Sequence, residues 1–317
     1  MAIQMLIVRK TALAVLTLLF VAVLVFVATE LIPGDAAFAI LGQGASTEAL
    51  EAMRERLGLD RPAVVRFAEW LGRTMTGDFG ESFGTGQPVA PLIAERLWNT
   101  LRLAGLAALI AMPAAIVIGV ASAARAGSAF DRVVSLSVLS VVAVPEFFVG
   151  LLLVFLFAVQ LNLLPAISFV REGQDMTAFL RAATLPALTL ALSVAPHLVR
   201  MTRSTIISGL TSGYVEAAVL RGVPRRRIVW RHVLPNVAGP LISISALILA
   251  YFIAGVVVVE TVFAYPGIGR LMVDAVSTKD TPLIQACALL MASIYIFINT
   301  LADVLASASN PRRRSRA

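Results

Sequence analysis

What most constrains this chain is a set of uncharged apolar runs, each long enough to cross a lipid bilayer. Thr11 to Thr29, Leu103 to Ala124, Val233 to Val259 and Pro282 to Ala302 contain no Asp, Glu, Lys or Arg. A helix crosses the hydrocarbon layer with roughly 20 residues. Two further candidates are less clean. Val133 to Leu161 is apolar except for Glu146, and Ala182 to Val199 carries Pro186, Pro196 and His197. The first run is too long for the apolar part of a secretion signal, and Ala28-Thr29-Glu30 is a poor cleavage site, so it reads as an uncleaved helix. The expectation is an all-α membrane protein with about six transmembrane helices.

Composition agrees. Of 317 residues, 59% are hydrophobic and only 14% charged, too few charges for the surface of a soluble domain of this size. A net charge of +7 could suggest nucleic acid, but a basic excess is also what the cytoplasmic side of a membrane protein carries. With the N-terminus inside, Arg9, Lys10, Arg125, Arg132, Arg200, Arg203, Arg221, Arg225, Arg226, Arg227, Arg231, Arg312, Arg313, Arg314 and Arg316 all fall at or near the cytoplasm. The short outer loops are nearly balanced: Arg171 and Arg181 face Glu172 and Asp175, while Arg270 and Lys279 face Glu260, Asp274 and Asp280. The long segment Glu30 to Asn99 translocates regardless of charge. Both termini are therefore expected inside. The single cysteine, Cys287, excludes an intramolecular disulfide or a cysteine zinc cluster and reads as a small buried apolar residue.

The resulting division is a first helix in 1–29, a periplasmic segment in 30–98, a five-helix core in 99–307 holding a cytoplasmic loop at 204–236, and a basic tail in 308–317. The periplasmic segment contains two helical stretches, Glu48 to Leu57 and Ala63 to Met75, then a return punctuated by Gly77, Gly80, Gly84 and Gly86. In the cytoplasmic loop, Tyr214, Val215, Ala218 and Val219 recur at helical spacing. Gly222 suits the left-handed residue that ends a helix, and Pro224 suits the first turn of the next. The pattern is helix, sharp turn, helix. Its apolar face, rimmed by Arg225 to Arg227, must lie on the membrane, fold back on its own spans, or dock a partner.

Glu216-Ala217-Ala218, then Gly222, Ile228 and Leu234-Pro235 resemble the EAA loop of ATP-binding-cassette importer permeases. The resemblance extends over nearly the whole chain, to the oligopeptide, dipeptide and nickel branch. It is carried by Pro33-Gly34-Asp35, Leu57 to Pro62, Gly77 to Ser82, Arg96 with Asn99-Thr100-Leu101, Val144 to Gly150, Leu163 to Ala166, Glu260 to Phe263, Tyr265 to Arg270 and Asn310-Pro311-Arg312. It implies the type I (MetI-like) permease architecture in the bacterial inner membrane. It also implies a second permease subunit of a different chain, two ATPase subunits that hold the ATP and magnesium, and an extracytoplasmic solute-binding protein. Tyr214, Glu216, Ala217, Ala218, Gly222, Arg225 and Arg226 would then form the coupling helix that seats in the ATPase. Ser212-Gly213 and Val219-Leu220 depart from the usual pattern at that contact, and Asn310 replaces a common Asp.

Glu146, between Pro145 and Phe147, is a carboxylate in the third span, where charge is costly and usually functional. It either lines the translocation path with Pro145 and Phe147 and attracts a cationic group, or it is protonated or pairs with a polar neighbour near the proline kink and braces the bundle. His197 beside Pro196 reads as a packing residue rather than a proton relay, and Gly119, Gly150 and Gly255 as points of close helix contact. With only Lys10 and Lys279 in the chain, no phosphate-binding loop ending in Lys-Ser or Lys-Thr exists. The chain is expected to hold no catalytic residue, metal or cofactor. The alternative function is a secondary transporter or channel without an ATPase, for which intramembrane ion-binding residues would be expected.

Overall fold

A computed structural model describes residues 2–31, 36–42, 45–171 and 173–308. Pro33-Gly34-Asp35, Glu172, Asn310-Pro311-Arg312 and the arginine-rich tail lie outside the described residues. In chain order the helices are α1 (Ala2–Glu30), α2 (Ala36–Leu41), α3 (Thr47–Leu57), α4 (Ala63–Met75), α5 (Val89–Ala124), α6 (Ala129–Val142) and α7 (Glu146–Leu153). They continue with α8 (Met176–Leu210), α9 (Gly213–Leu220), α10 (Arg225–Arg227), α11 (Leu234–Asn236), α12 (Ala238–Val262), α13 (Ile268–Thr278) and α14 (Thr281–Ala308). Single π-helical stretches extend α7 (Val154–Gln160) and join α10 to α11 (Ile228–Val233). The chain forms two compact units.

The first unit holds 101–265 together with the beginning and end of the chain. Small residues set its packing. A Cβ on Gly119 of α5 would fall 2.7 Å from Thr202 Cβ and 2.8 Å from the Val199 carbonyl of α8, so those two helices touch backbone to backbone as membrane helices do. Gly150 of α7 sits less tightly on Phe263 and Thr189, at 3.2 and 3.3 Å, and Gly255 of α12 on Glu146, at 3.1 Å. Gly209, which the sequence did not single out, is tighter still, with the Val233 methyl 2.6 Å from its would-be Cβ. Pro113, Pro186 and Pro196 are all accommodated inside helices. His197 packs its ring beside Tyr251, 6.5 Å between centroids.

The expected third span is broken. Helix α6 stops at Val142, Pro145 adopts an extended conformation, and α7 departs at 100° to α6. Proline disfavours helix in the residue before it and ends the run there. Glu146 therefore opens a new helix rather than lying inside a continuous one. A second correction concerns Glu260. It is not an outer-loop charge: it lies in the last turn of α12 and is fully buried. The backbone turns sharply after it, with Ala264 left-handed at φ 51° and the Tyr265 N–H donating to the Glu260 carbonyl at 2.9 Å. Tyr265 is itself buried; its burial, and then the Glu260 charge, push its phenol well above the ordinary tyrosine range.

The second unit comprises 12–100 and 266–296. The two helices expected before the glycine-rich return are present as α3 and α4. Ser46 caps α3 by accepting from the Ala49 N–H at 3.2 Å, and Gly58 closes it at φ 66°. Phe67 and Trp70 of α4 pack on Phe26 of α1, and Arg66 forks onto the Glu30 carboxylate at 2.6 and 2.8 Å. After α4, residues 80–88 form a tight loop held by Asp280. Its carboxylate accepts from Ser82 Oγ at 2.5 Å and from the Phe83 and Gly84 N–H groups at 3.1 Å. Asn99 donates to the Pro266 carbonyl at 3.0 Å and Thr100 Oγ accepts from the Ile268 N–H at 2.9 Å. Motifs far apart in sequence thus meet. Cys287 is buried among Val89, Ile93, Ile268 and Leu283.

Helices α1 and α14 run antiparallel. Lys10 pairs with Asp303, and Gln285 donates to Thr29 Oγ1 at 2.8 Å. Nineteen residues separate the two α1 positions, about 28 Å at 1.5 Å per residue, close to the hydrocarbon thickness. Opposite directions for the first and last spans require an even number of crossings. Five helices, α1, α5, α8, α12 and α14, are each long and apolar enough to span alone. The bent pair α6–α7 brings the number to six where it is taken as one span.

Candidate coupling site and intramembrane carboxylate

The connection from α8 to α12 builds the site. Ser212 stands at the N-cap of α9 and Arg221 at its C-cap. Gly222 takes φ 73°, a left-handed conformation that costs an L-residue with a Cβ about 1–2 kcal/mol. Its N–H donates to the Val219 carbonyl at 2.9 Å, and that of Val223 to the Ala218 carbonyl at 3.1 Å, which satisfies the helix end. Pro224 is the N-cap of α10 rather than its first helical residue, a one-residue difference within the ordinary fraying of helix ends.

The helix α9 divides its apolar residues between two faces. Val215 and Ala218 are buried in a cluster with Val120 and Ala123 of α5, Ile206 of α8, and Ile228, Val229 and Val233 of the following π turn. Tyr214, Val219 and Leu220, by contrast, are exposed, Leu220 by 88%. The expected single face of Tyr214, Val215, Ala218 and Val219 is therefore corrected. Positions 215 and 218 lie three apart and share the inner stripe, while 219 and 220 turn outward. Glu216, Ala217, Arg225 and Arg226 are exposed as well. Trp230, 47% exposed, adds an outward aromatic that sequence reasoning missed; its place among the arginines from Arg225 to Arg231 concealed it.

Just behind this element lies a polar cluster that the sequence reading also missed. Asp131, 4% exposed, accepts from Arg203 Nε at 2.6 Å and Nη2 at 2.8 Å, from Ser122 Oγ at 2.5 Å, and from the Gly127 N–H at 2.9 Å. The available signal was the capping pattern Ser128-x-x-Asp131 before an apolar run. Ser128 Oγ does accept from the Asp131 N–H, at 3.3 Å.

Glu146 sits apart from the loop. Its carboxylate lies against Gly255 of α12, where a Cβ would come within 3.1 and 3.2 Å of its two oxygens. Oε1 is buried and finds no hydrogen-bond partner among the described residues, a costly condition for a carboxyl oxygen. Pro145 and Phe147 do not join it inside. Both are exposed, Phe147 by 50%. Among the described residues no cluster of His, Cys, Asp and Glu has the makings of a metal site.

Comparison with known proteins decides the family. Residues 115–315 match the family described as binding-protein-dependent transport system inner membrane component, and residues 3–104 match the N-terminal region of such membrane components. The chain belongs to this family. It is a multi-pass inner-membrane permease component, the translocation subunit of an ATP-binding-cassette importer. A protein of Brucella abortus (strain 2308) named as a peptide transport system permease is 39% identical over 310 residues, 98% of either chain. One of Sinorhizobium fredii (strain NBRC 101917 / NGR234), named as a peptide ABC transporter permease, is 32% identical over 97% of this chain and 98% of its own. The glutathione transport system permease GsiC of Salmonella choleraesuis (strain SC-B67) is 37% identical over 94% of this chain and 95% of its own.

Proposed function

We propose that this permease passes peptides, or a closely related small solute, delivered by an extracytoplasmic solute-binding protein. In this reading α9 and the turn at Gly222 face the cytoplasm with both termini and dock an ATPase subunit. Two such ATPases, holding ATP and magnesium, and a second permease of a different chain complete the importer. One observation carries the reading: α9 is anchored by Val215 and Ala218 yet presents Tyr214, Val219 and Leu220 outward beside exposed arginines. A short helix with one face built into the bundle and the other an unpartnered apolar surface in water is suited to a protein partner. Glu216 at its first turn would add a charge-assisted contact, and Ala217 leaves room for close approach. The names of the relatives support peptides as cargo.

Glu146 is the residue proposed to meet the solute. An unpartnered carboxylate oxygen at the break of the third span offers a cationic group, such as a peptide N-terminus, a partner the protein does not supply. Pro145 and Phe147 lie on the surface beside it, where a second permease would close the path. Co-expression with the ATPase and purification from detergent test the docking. Leu220→Glu should release the ATPase while leaving the permease folded, because the side chain touches little of its own chain. Retention of the ATPase at the unmodified level would refute docking through this face.

A further inference from the structure

We propose that Asp131, held by Arg203, Ser122 and Gly127, is the rigid joint that passes a displacement of α9 to α5, α6 and α8. The inference rests on the proposed docking of α9 and adds how the push is carried. The buried face of α9 rests on Val120 and Ala123 of α5 and on Ile206 of α8. Those contacts are apolar and non-directional. The Asp131 cluster stands beside that seat. Ser122 lies between Val120 and Ala123 on α5, and Arg203 lies one turn before Ile206 on α8. Thr202, next to Arg203, is the residue against which Gly119 packs.

Unlike the apolar seat, the cluster is directional. A guanidinium and a carboxylate joined by two bonds, 2.6 and 2.8 Å, fix each other's plane as well as their distance. Ser122 and Gly127 supply two more donors, so the four acceptor sites of the carboxylate meet four donors. Asp131 begins α6, Ser122 ends α5, Gly127 lies in the loop between them, and Arg203 is on α8. One carboxylate therefore joins three helices, α5, α6 and α8. Shifting any of them would leave a buried charge unpaired. Such a cluster says little about net stability, and its best use is to hold one arrangement in register. Asp131 and Arg203 are thus positioning residues that act through α9.

The test uses the complete importer complex with its ATPase subunits, on a Cys287→Ala background. Nitroxide labels are placed at exposed Arg221, at the end of α9, and exposed Val133, on α6. Pulsed dipolar spectroscopy reads their separation without nucleotide and after trapping with ATP and vanadate. The expected result is one distance, the same in both states. Asp131→Asn should make that distance shift or split on trapping, and Ser122→Ala, which keeps the ion pair, should do so less. A purely structural role would lower thermal stability without making the distance depend on nucleotide. If the unmodified complex changes its separation on trapping, or if both variants keep one invariant distance, the joint is refuted. A label at Arg221 whose mobility ignores the ATPase subunits would refute the docking of α9 and this inference with it.

Discussion

At the scale of single residues, Gly222 and Glu146 make opposite demands. Gly222 is needed for its backbone, since its φ of 73° is closed to most residues and nothing stands within 4 Å of a would-be Cβ. Gly222→Ala should therefore act through conformation alone, weakening ATPase binding about tenfold for a cost of about 1–2 kcal/mol. Gly222→Asn, which tolerates the left-handed region, should lose less; titration of the ATPase onto purified permease would check both. Equal affinities for Ala and Gly would remove the turn from the mechanism. In the proposed path Glu146 acts through its charge. Glu146→Gln keeps the shape against Gly255 and should slow uptake of peptides with a free N-terminus more than of N-acetylated ones. Uptake by reconstituted complexes at wild-type rates, with unchanged preference between the two, would assign Glu146 to bracing instead.

At the scale of elements, what the sequence made legible was local and what it concealed was mutual. The spans of α3 and α4, the left-handed turn at Gly222 and the tight contacts at Gly119, Gly150 and Gly255 could be read because each depends on one residue type at one spacing. The break before Pro145 was visible as a proline but not as a 100° bend, because a proline marks where a helix stops and not the direction of the next one. The same holds for Glu260. Its charge marks a loop in any hydropathy reading, yet the last turn of α12 buries it. Asp131 and Gly209 were missed because their partners, Arg203 and Val233, lie far along the chain or across a turn. Contact between α5 and α8 yields a graded prediction. Gly119→Val must displace Thr202 or the Val199 backbone, and overpacking of this kind costs about 1–3 kcal/mol. Gly105→Ala, on the same helix with open space around it, should gain about 0.5–1 kcal/mol. Thermal unfolding in detergent should show a lowered midpoint for the first and an equal or raised one for the second.

At the scale of the whole molecule, the sixth crossing expected from the sequence falls to the bent pair α6–α7. A cysteine at Thr85, in the loop held by Asp280, and one at Arg226, beside α9, should then react with an impermeant maleimide from opposite sides of the membrane. Reaction of both from one side would return the α6–α7 pair to a re-entrant loop. Everything in the proposed function depends on what α9 touches when the importer is assembled. A photo-crosslinking amino acid at Leu220, in cells expressing all subunits, reads that contact most directly. The expected outcome is a covalent adduct with the ATPase subunit from position 220 and none from buried Val215. Adducts from position 220 only with lipid, or with the solute-binding protein on the other side, would contradict it.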